Sequence, residues 1–218
     1  MRGAGRPVIA VPLGSCEQHG PHLPLDTDTR IAVALADRLA AVRPNVLVAP
    51  ALAYGASGEH AGFEGTLSIG QAALEVVIVE LVRSADAFDG VVLVNGHGGN
   101  AEAVARAVAV STSDGRRVLS WAPSIDPSSG ADAHAGRTET SALLALAPST
   151  VRLDLARPGA TAPLPGLMDE LRAGGVQAVA ANGVLGDPTD ASAAEGVALL
   201  RTLADDLVAA FDQWRAAA

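Results

Sequence analysis

The sequence has no lysine, one cysteine, one tyrosine and two tryptophans among its 218 residues, and each scarcity excludes something. A lone Cys16 rules out an intrachain disulfide framework. With aromatics at 3%, there is little on which nucleobases could stack. The net charge of −9 and a pI near 4.9 leave no basic stripe, so no nucleic-acid partner is expected. No apolar run approaches the roughly 20 residues that span a bilayer, so no membrane partner is expected either. The stretch Met1 to Pro7 lacks the apolar core of a signal peptide, and a cytoplasmic location is expected. Charged residues make up 18%, against a usual share of about 25%. That deficit fits a surface partly covered by other subunits.

What is present is a regular alternation. Val8 to Leu13, Val46 to Ala49, Val91 to Val94 and Val118 to Trp121 read as strands. Asp28 to Val42 reads as a helix with Ile31, Leu35 and Leu39 on one face. Gln71 to Phe88, Glu102 to Thr112, Thr138 to Leu146 and Ala191 to Trp214 also read as helices. Residues 51–69 and 122–136 read as loops. Pro148, Pro158, Pro163 and Pro165 predict a mostly irregular stretch over 148–170. Val176 to Ala181 reads as a further strand. Strands alternating with helices predict an α/β fold, three layers α/β/α around a mostly parallel sheet, as one domain over residues 1–218. Ligands of such sheets bind beyond the carboxyl ends of the strands.

The chemically loaded residues fall in those places. All five histidines, His19, His22, His60, His97 and His134, lie in glycine-containing loops. After the first strand comes Glu17-Gln18-His19-Gly20-Pro21-His22, and extended backbone would point Glu17 and His19 to one side. Asp26 and Asp28 open the next helix, where either carboxylate could cap; Asp28 is assigned to metal and Asp26 to capping or support. After the third strand, Asn95-Gly96-His97-Gly98-Gly99-Asn100 lacks the endings of a phosphate loop or a dinucleotide fingerprint. A third cluster is His134 with Glu139, and no Ser or Thr at position 136 completes a capping box with Glu139. Carboxylates mixed with imidazoles suit zinc, iron or manganese better than calcium. Glu17, His19, Asp28, His97 and Glu139 would suit one or two divalent ions able to activate water. There is no Gly-x-Ser-x-Gly elbow and no His-Glu-x-x-His helix, and the local signature of papain-type thiol proteases around Cys16 is absent.

These motifs together resemble the creatininase family. The carriers are Glu17-Gln18-His19-Gly20-Pro21-His22 with Asp28, the Asn95–Asn100 segment, His134-Ala135-Gly136 with Glu139-Thr140-Ser141, and Gly58-Glu59-His60 with Gly65-Thr66. Pro24 to Arg30, Ala53 to His60 and Gly183 to Pro188 further resemble the mycofactocin-system members of that family. The resemblance implies a creatininase-like fold and a metal-dependent peptidase. Its partner would be a modified precursor peptide, cut just before its C-terminal Val-Tyr-derived pair. It also implies a closed homo-oligomer, a hexamer or larger. Carried over, Glu17 and His97 would hold one ion and His19 the other, with Asp28 bridging. His134 and Glu139 would be catalytic, and His22, Glu59 and His60 would contact substrate. One departure stands out. Creatininase has a glutamate two residues after the histidine matching His97, where this chain has Gly99. Glu139 would then have to complete the second ion's shell. Two other readings are a small-molecule amidohydrolase acting on creatinine-like lactams or formamides, and a metal-stabilised oligomeric binding protein without catalysis.

Overall fold

A computed structural model describes residues 6–124 and 132–217. Four strands form one wholly parallel sheet: β1 (Val8–Leu13), β2 (Val46–Val48), β3 (Gly90–Asn95) and β4 (Val118–Trp121), in the order β2-β1-β3-β4. β3 is buried along its whole length, as a strand covered on both faces must be. Its register sets Leu13 beside Asn95, so β1 and β3 end level. The chain leaves β1 toward β2 on one side and β3 toward β4 on the other. The carboxyl ends of β1 and β3 are therefore the switch point where such sheets bind ligands.

Among the described residues, five helices cover the sheet. On one face lie α1 (Thr27–Val42), α4 (Arg137–Leu146) and α6 (Ala193–Ala216), which bury Ile31, Leu35 and Leu39 against Leu143, Leu200, Leu207 and Phe211. On the other lie α2 (Gly70–Arg83) and α3 (Ala101–Ser113), which bury Leu74, Ile78, Val104 and Ala107. In each helix these residues recur at three- and four-residue spacing, the stripe that a helix presents to a core. The three-layer α/β/α expectation holds.

Three local expectations need correction. Residues 176–181 are not a strand: α5 (Leu164–Val179) runs through most of them, with a kink at Gly175, where φ is +68°. Val176 and Ala180, four residues apart, are both buried while Ala178 between them is exposed, which is helical periodicity. Residues 148–170 are less irregular than their prolines suggest. Two short 3-10 turns occupy Pro148–Thr150 and Leu153–Leu155, and Pro163 and Pro165 sit at the start of α5, where a missing N–H costs nothing. Asp26 stands at the cap position of α1 without capping it; its carboxylate instead accepts from Arg30 Nε at 2.7 Å. The expected loop over 122–136 lies partly outside the described residues; its ends, 122–124 and 132–136, form no helix or strand beyond an isolated bridge from His134 to Leu185.

Candidate metal centre

Loops following β1, β3 and β4 converge at the switch point. The structure brings the five expected ligands together. Contacts run from Glu17 Oε2 to His97 Nε2 (3.1 Å), His97 Nδ1 to Asp28 Oδ2 (3.2 Å), Asp28 Oδ1 to His19 Nε2 (3.1 Å) and His19 Nε2 to Glu139 Oε2 (3.7 Å). Glu17, His19, Asp28 and His97 are all buried. Asp28 reaches this depth because the first turn of α1 presses on the end of β3. A side chain at Gly96 would meet the Asp28 carbonyl at 2.5 Å, so only glycine admits the helix.

Hydrogen bonds fix which nitrogen of two rings is free. His19 Nδ1 lies 3.2 Å from the Glu17 carbonyl, which can only accept, so Nδ1 carries the proton and Nε2 faces the carboxylates. That is how metal-binding histidines are usually oriented. His134 Nε2 donates to the Gln18 carbonyl at 2.8 Å, leaving Nδ1 unprotonated, 3.7 Å from Glu17 Oε1. Gln18 was not singled out in the sequence. Its amide nitrogen lies 2.8 Å from His60 Nδ1 and 3.0 Å from the Gly183 carbonyl, tying three segments together. Ser15 donates to Asp28 Oδ2 at 2.7 Å. Asn95 and Asn100 lock the His97 loop: Asn95 Nδ2 donates to the His97 carbonyl at 2.9 Å, and Asn100 Nδ2 to the Gly14 carbonyl at 3.0 Å. These residues position others and would bind no ion themselves, so their residue types alone do not mark them in the sequence.

The electrostatics are those of a site built to receive positive charge. Burial, reinforced by Asp28, pushes the Glu17 carboxyl up to about 8. Burial, against the pull of His19, pushes Glu139 up to about 7. For His19, burial is overcome by Asp28 and Glu139, and its pKa rises to about 10. His97 is raised in the same way by Asp28 and Glu59. His134 is held well below the usual imidazole range by burial and by His19, and burial lowers His60 to about 4. Neither oxygen of Glu17 has a hydrogen-bond partner among the described residues, although the residue is fully buried. A buried, undonated carboxylate is costly unless a cation meets it. The residues present therefore fit divalent metal, and atoms from Glu17, His19 and Asp28, and from His19, His134 and Glu139, lie within 4.8 Å of one another.

The remaining expected residues divide. His60 and Glu59 line the same cavity, His60 Nε2 3.3 Å from Glu17 Oε1 and Glu59 Oε1 3.4 Å from His97 Nε2. His22 is not among the described residues that line it; the ring is buried, with Nε2 2.9 Å from Thr140 Oγ1. Glu139 does serve the backbone, though not in a capping box: Oε2 accepts from the Ala135 amide at 2.6 Å. Ala135 has φ +53°, a conformation uncommon outside glycine, immediately after His134. Gly136 holds the cap position of α4, and the amide of Thr138 in the first turn donates to Asp132 Oδ1 at 3.0 Å. Cys16 Sγ faces the Gly65 carbonyl at 3.6 Å.

The family model for creatinine amidohydrolase, Creatininase, matches residues 2–211. The chain belongs to the creatininase family. It is 51% identical over 218 residues to the mycofactocin precursor peptide peptidase of Mycobacterium tuberculosis, covering 95% of this chain and 86% of that relative. It is 32% identical over 190 residues to the creatinine amidohydrolase of Pseudomonas putida, covering 73% of each. A solved structure titled Creatininase Mn superposes with a TM-score of 0.74 at 26% identity, covering 96% of this chain and 91% of that one. Like other creatininase-family proteins, the chain is a hydrolase of amide bonds.

Proposed function

We propose that this chain is a metal-dependent peptidase of the mycofactocin system. Its substrate is the modified precursor peptide, cut just before the C-terminal Val-Tyr-derived pair. The observation that carries the metal half is Glu17, buried with no donor among the described residues and surrounded by four imidazoles and one aspartate. Glu17 and His97 would hold one ion and His19 and Glu139 the other, with Asp28 reaching both. Such ions lower the pKa of bound water toward about 7 and polarise the scissile carbonyl. Zinc, iron and manganese all suit this donor set.

The chain's own groups supply the proton traffic. His134 Nδ1, unprotonated and aimed at the centre, can take a proton from the attacking water and hand it to the leaving nitrogen. Gln18 holds that ring in place through its carbonyl and also binds His60.

The cavity favours a peptide over a small polar lactam. It has a volume of about 490 Å³, and Leu164, Met168, Leu171, Val176 and Leu185 form one wall. A second cavity of about 720 Å³ shares Ala133, Leu164, Met168 and Leu185 with it and continues past Thr161 and Pro163 toward Asp190. An extended, largely apolar groove suits a chain carrying a Val-Tyr-derived end. The likeness to a creatinine amidohydrolase keeps a small-molecule reading in view. Both are tested by offering the metal-loaded protein creatinine and the modified precursor peptide side by side, with products read by mass spectrometry. We expect the peptide to be cut before its last two residues. Turnover of creatinine with the peptide intact would overturn the peptidase reading.

We further place the protein in the cytoplasm as a closed homo-oligomer. No helix among the described residues is long and apolar enough to cross a membrane. Val76 on α2 and Val197 on α6 are 61% and 57% exposed, apolar surface that assembly would cover.

A further inference from the structure

The family's carboxylate two positions after the His97 equivalent is missing here, yet the space it would enter is not empty. A Cβ built on Gly99 would overlap Glu59 Oε1 and His97 Nε2 and would lie 2.5 Å from the Ala56 carbonyl. The carboxylate of Glu59 thus occupies the volume where a side chain at 99 would begin. It arrives from a different loop, the 3-10 turn Gly58–His60. That turn is fixed from both sides. Its His60 amide donates to the Ser57 carbonyl at 3.1 Å, and a side chain at Gly175 of α5 would sit 2.6 Å from the Glu59 carbonyl oxygen. Glu59 Oε1 is 3.4 Å from His97 Nε2, and atoms of Glu17, Glu59 and His97 lie within 4.8 Å of one another. Glu17 Oε2, with no donor among the described residues, lies 3.1 Å from the same nitrogen.

We propose that Glu59 is a metal ligand: its carboxylate fills the space beside Gly99 and completes the shell of the ion held by Glu17 and His97. The proposal rests on the dinuclear reading of the site. It assigns Glu59 a role other than contacting substrate and leaves Glu139 to the His19 ion. It also gives Gly99 a reason. A side chain there would displace Glu59, so glycine at 99 and glutamate at 59 belong together.

The test needs no substrate. Wild type, Glu59→Gln and Glu139→Gln, stripped and reloaded with manganese or zinc, are titrated against a competing chelator, and ions per subunit are counted. Glu59→Gln keeps the shape of the side chain, and far-UV circular dichroism checks its fold. We expect Glu59→Gln to lose about 100-fold in affinity for one ion and to hold the other as wild type does. In Glu139→Gln the other ion should weaken. The weakened ion in Glu59→Gln should also show altered d–d bands when replaced by cobalt(II). Unchanged affinity for both ions with only a higher KM for peptide would overturn the proposal and leave the metal centre standing. A wild type that binds no ion would overturn both.

Discussion

Among the expected carboxylate ligands Asp28 is the one in close contact with both His19 and His97, so substituting it should affect two ions at once. Oδ1 lies 3.1 Å from His19 Nε2 and Oδ2 lies 3.2 Å from His97 Nδ1, while every other expected carboxylate ligand reaches only one of those rings. In Asp28→Asn the shape is kept and Ser15, now 2.7 Å from Oδ2, can still donate to an amide oxygen. What is lost is the charge and its ability to bridge. If apparent zinc-binding free energies of about 10–16 kcal/mol are shared among about four ligands, each contributes about 3 kcal/mol. That corresponds to about 100-fold in affinity at roughly 1.4 kcal/mol per decade, and here it should be lost from both ions.

The same change should be milder for the metal-free fold. Removing one partner of a buried ion pair costs about 3–5 kcal/mol when the other stays charged. His19 need not stay charged, because Asp28 is the foremost influence holding its pKa up near 10 against burial. Without Asp28 the ring can shed its proton near neutral pH, so the loss of stability should fall below that range. Equilibrium dialysis against buffered free metal, followed by elemental analysis, reads the first effect; denaturant melts of stripped protein read the second. Asp28→Asn holding one ion at wild-type affinity would refute the bridging argument, and Glu139→Gln provides the single-ion control.

Metal-free protein should lose stability as pH rises from 6.5 to 8. Glu17 at about 8 and His19 at about 10 keep protons in the fold that the unfolded chain releases near 4.5 and 6.5, so above 6.5 the folded state binds more protons than the unfolded. His22 and His60, lowered to about 4, act in the opposite sense only below 6.5. Urea midpoints at the two pH values check this, and a higher midpoint at pH 8 would contradict it. Gly196→Ala in α6 should destabilise, although alanine inside a helix normally gains about 1 kcal/mol over glycine. The added methyl would overlap the Ser141 carbonyl of α4, and overpacking of this kind costs about 1–3 kcal/mol. A raised thermal midpoint would show that the two helices have room to spare.

The parts of this molecule that could be read in advance are those governed by local periodicity. The buried strands are continuous apolar runs and the helices carry apolar stripes, so the α/β alternation is visible along the chain. Chemistry then falls where such a sheet must place it, at Glu17 and His19 after β1, at His97 after β3 and at His134 after β4. Val176 to Ala181 misled because a short apolar run fits either period, and only packing of Val176 and Ala180 against Leu185 decides for a helix. Gln18 and Asn100 were illegible for another reason: their partners Gly183 and Gly14 lie 165 and 86 residues away in the chain, and their work is to join loops. Gly99 illustrates the deeper limit. Read along the chain, it marks a missing ligand and an incomplete ion shell. Read in space, it marks a volume left open for Glu59, forty positions earlier in the numbering. A glycine's identity reports only the side chain it lacks; what enters the vacancy depends on which other loop the fold carries past it.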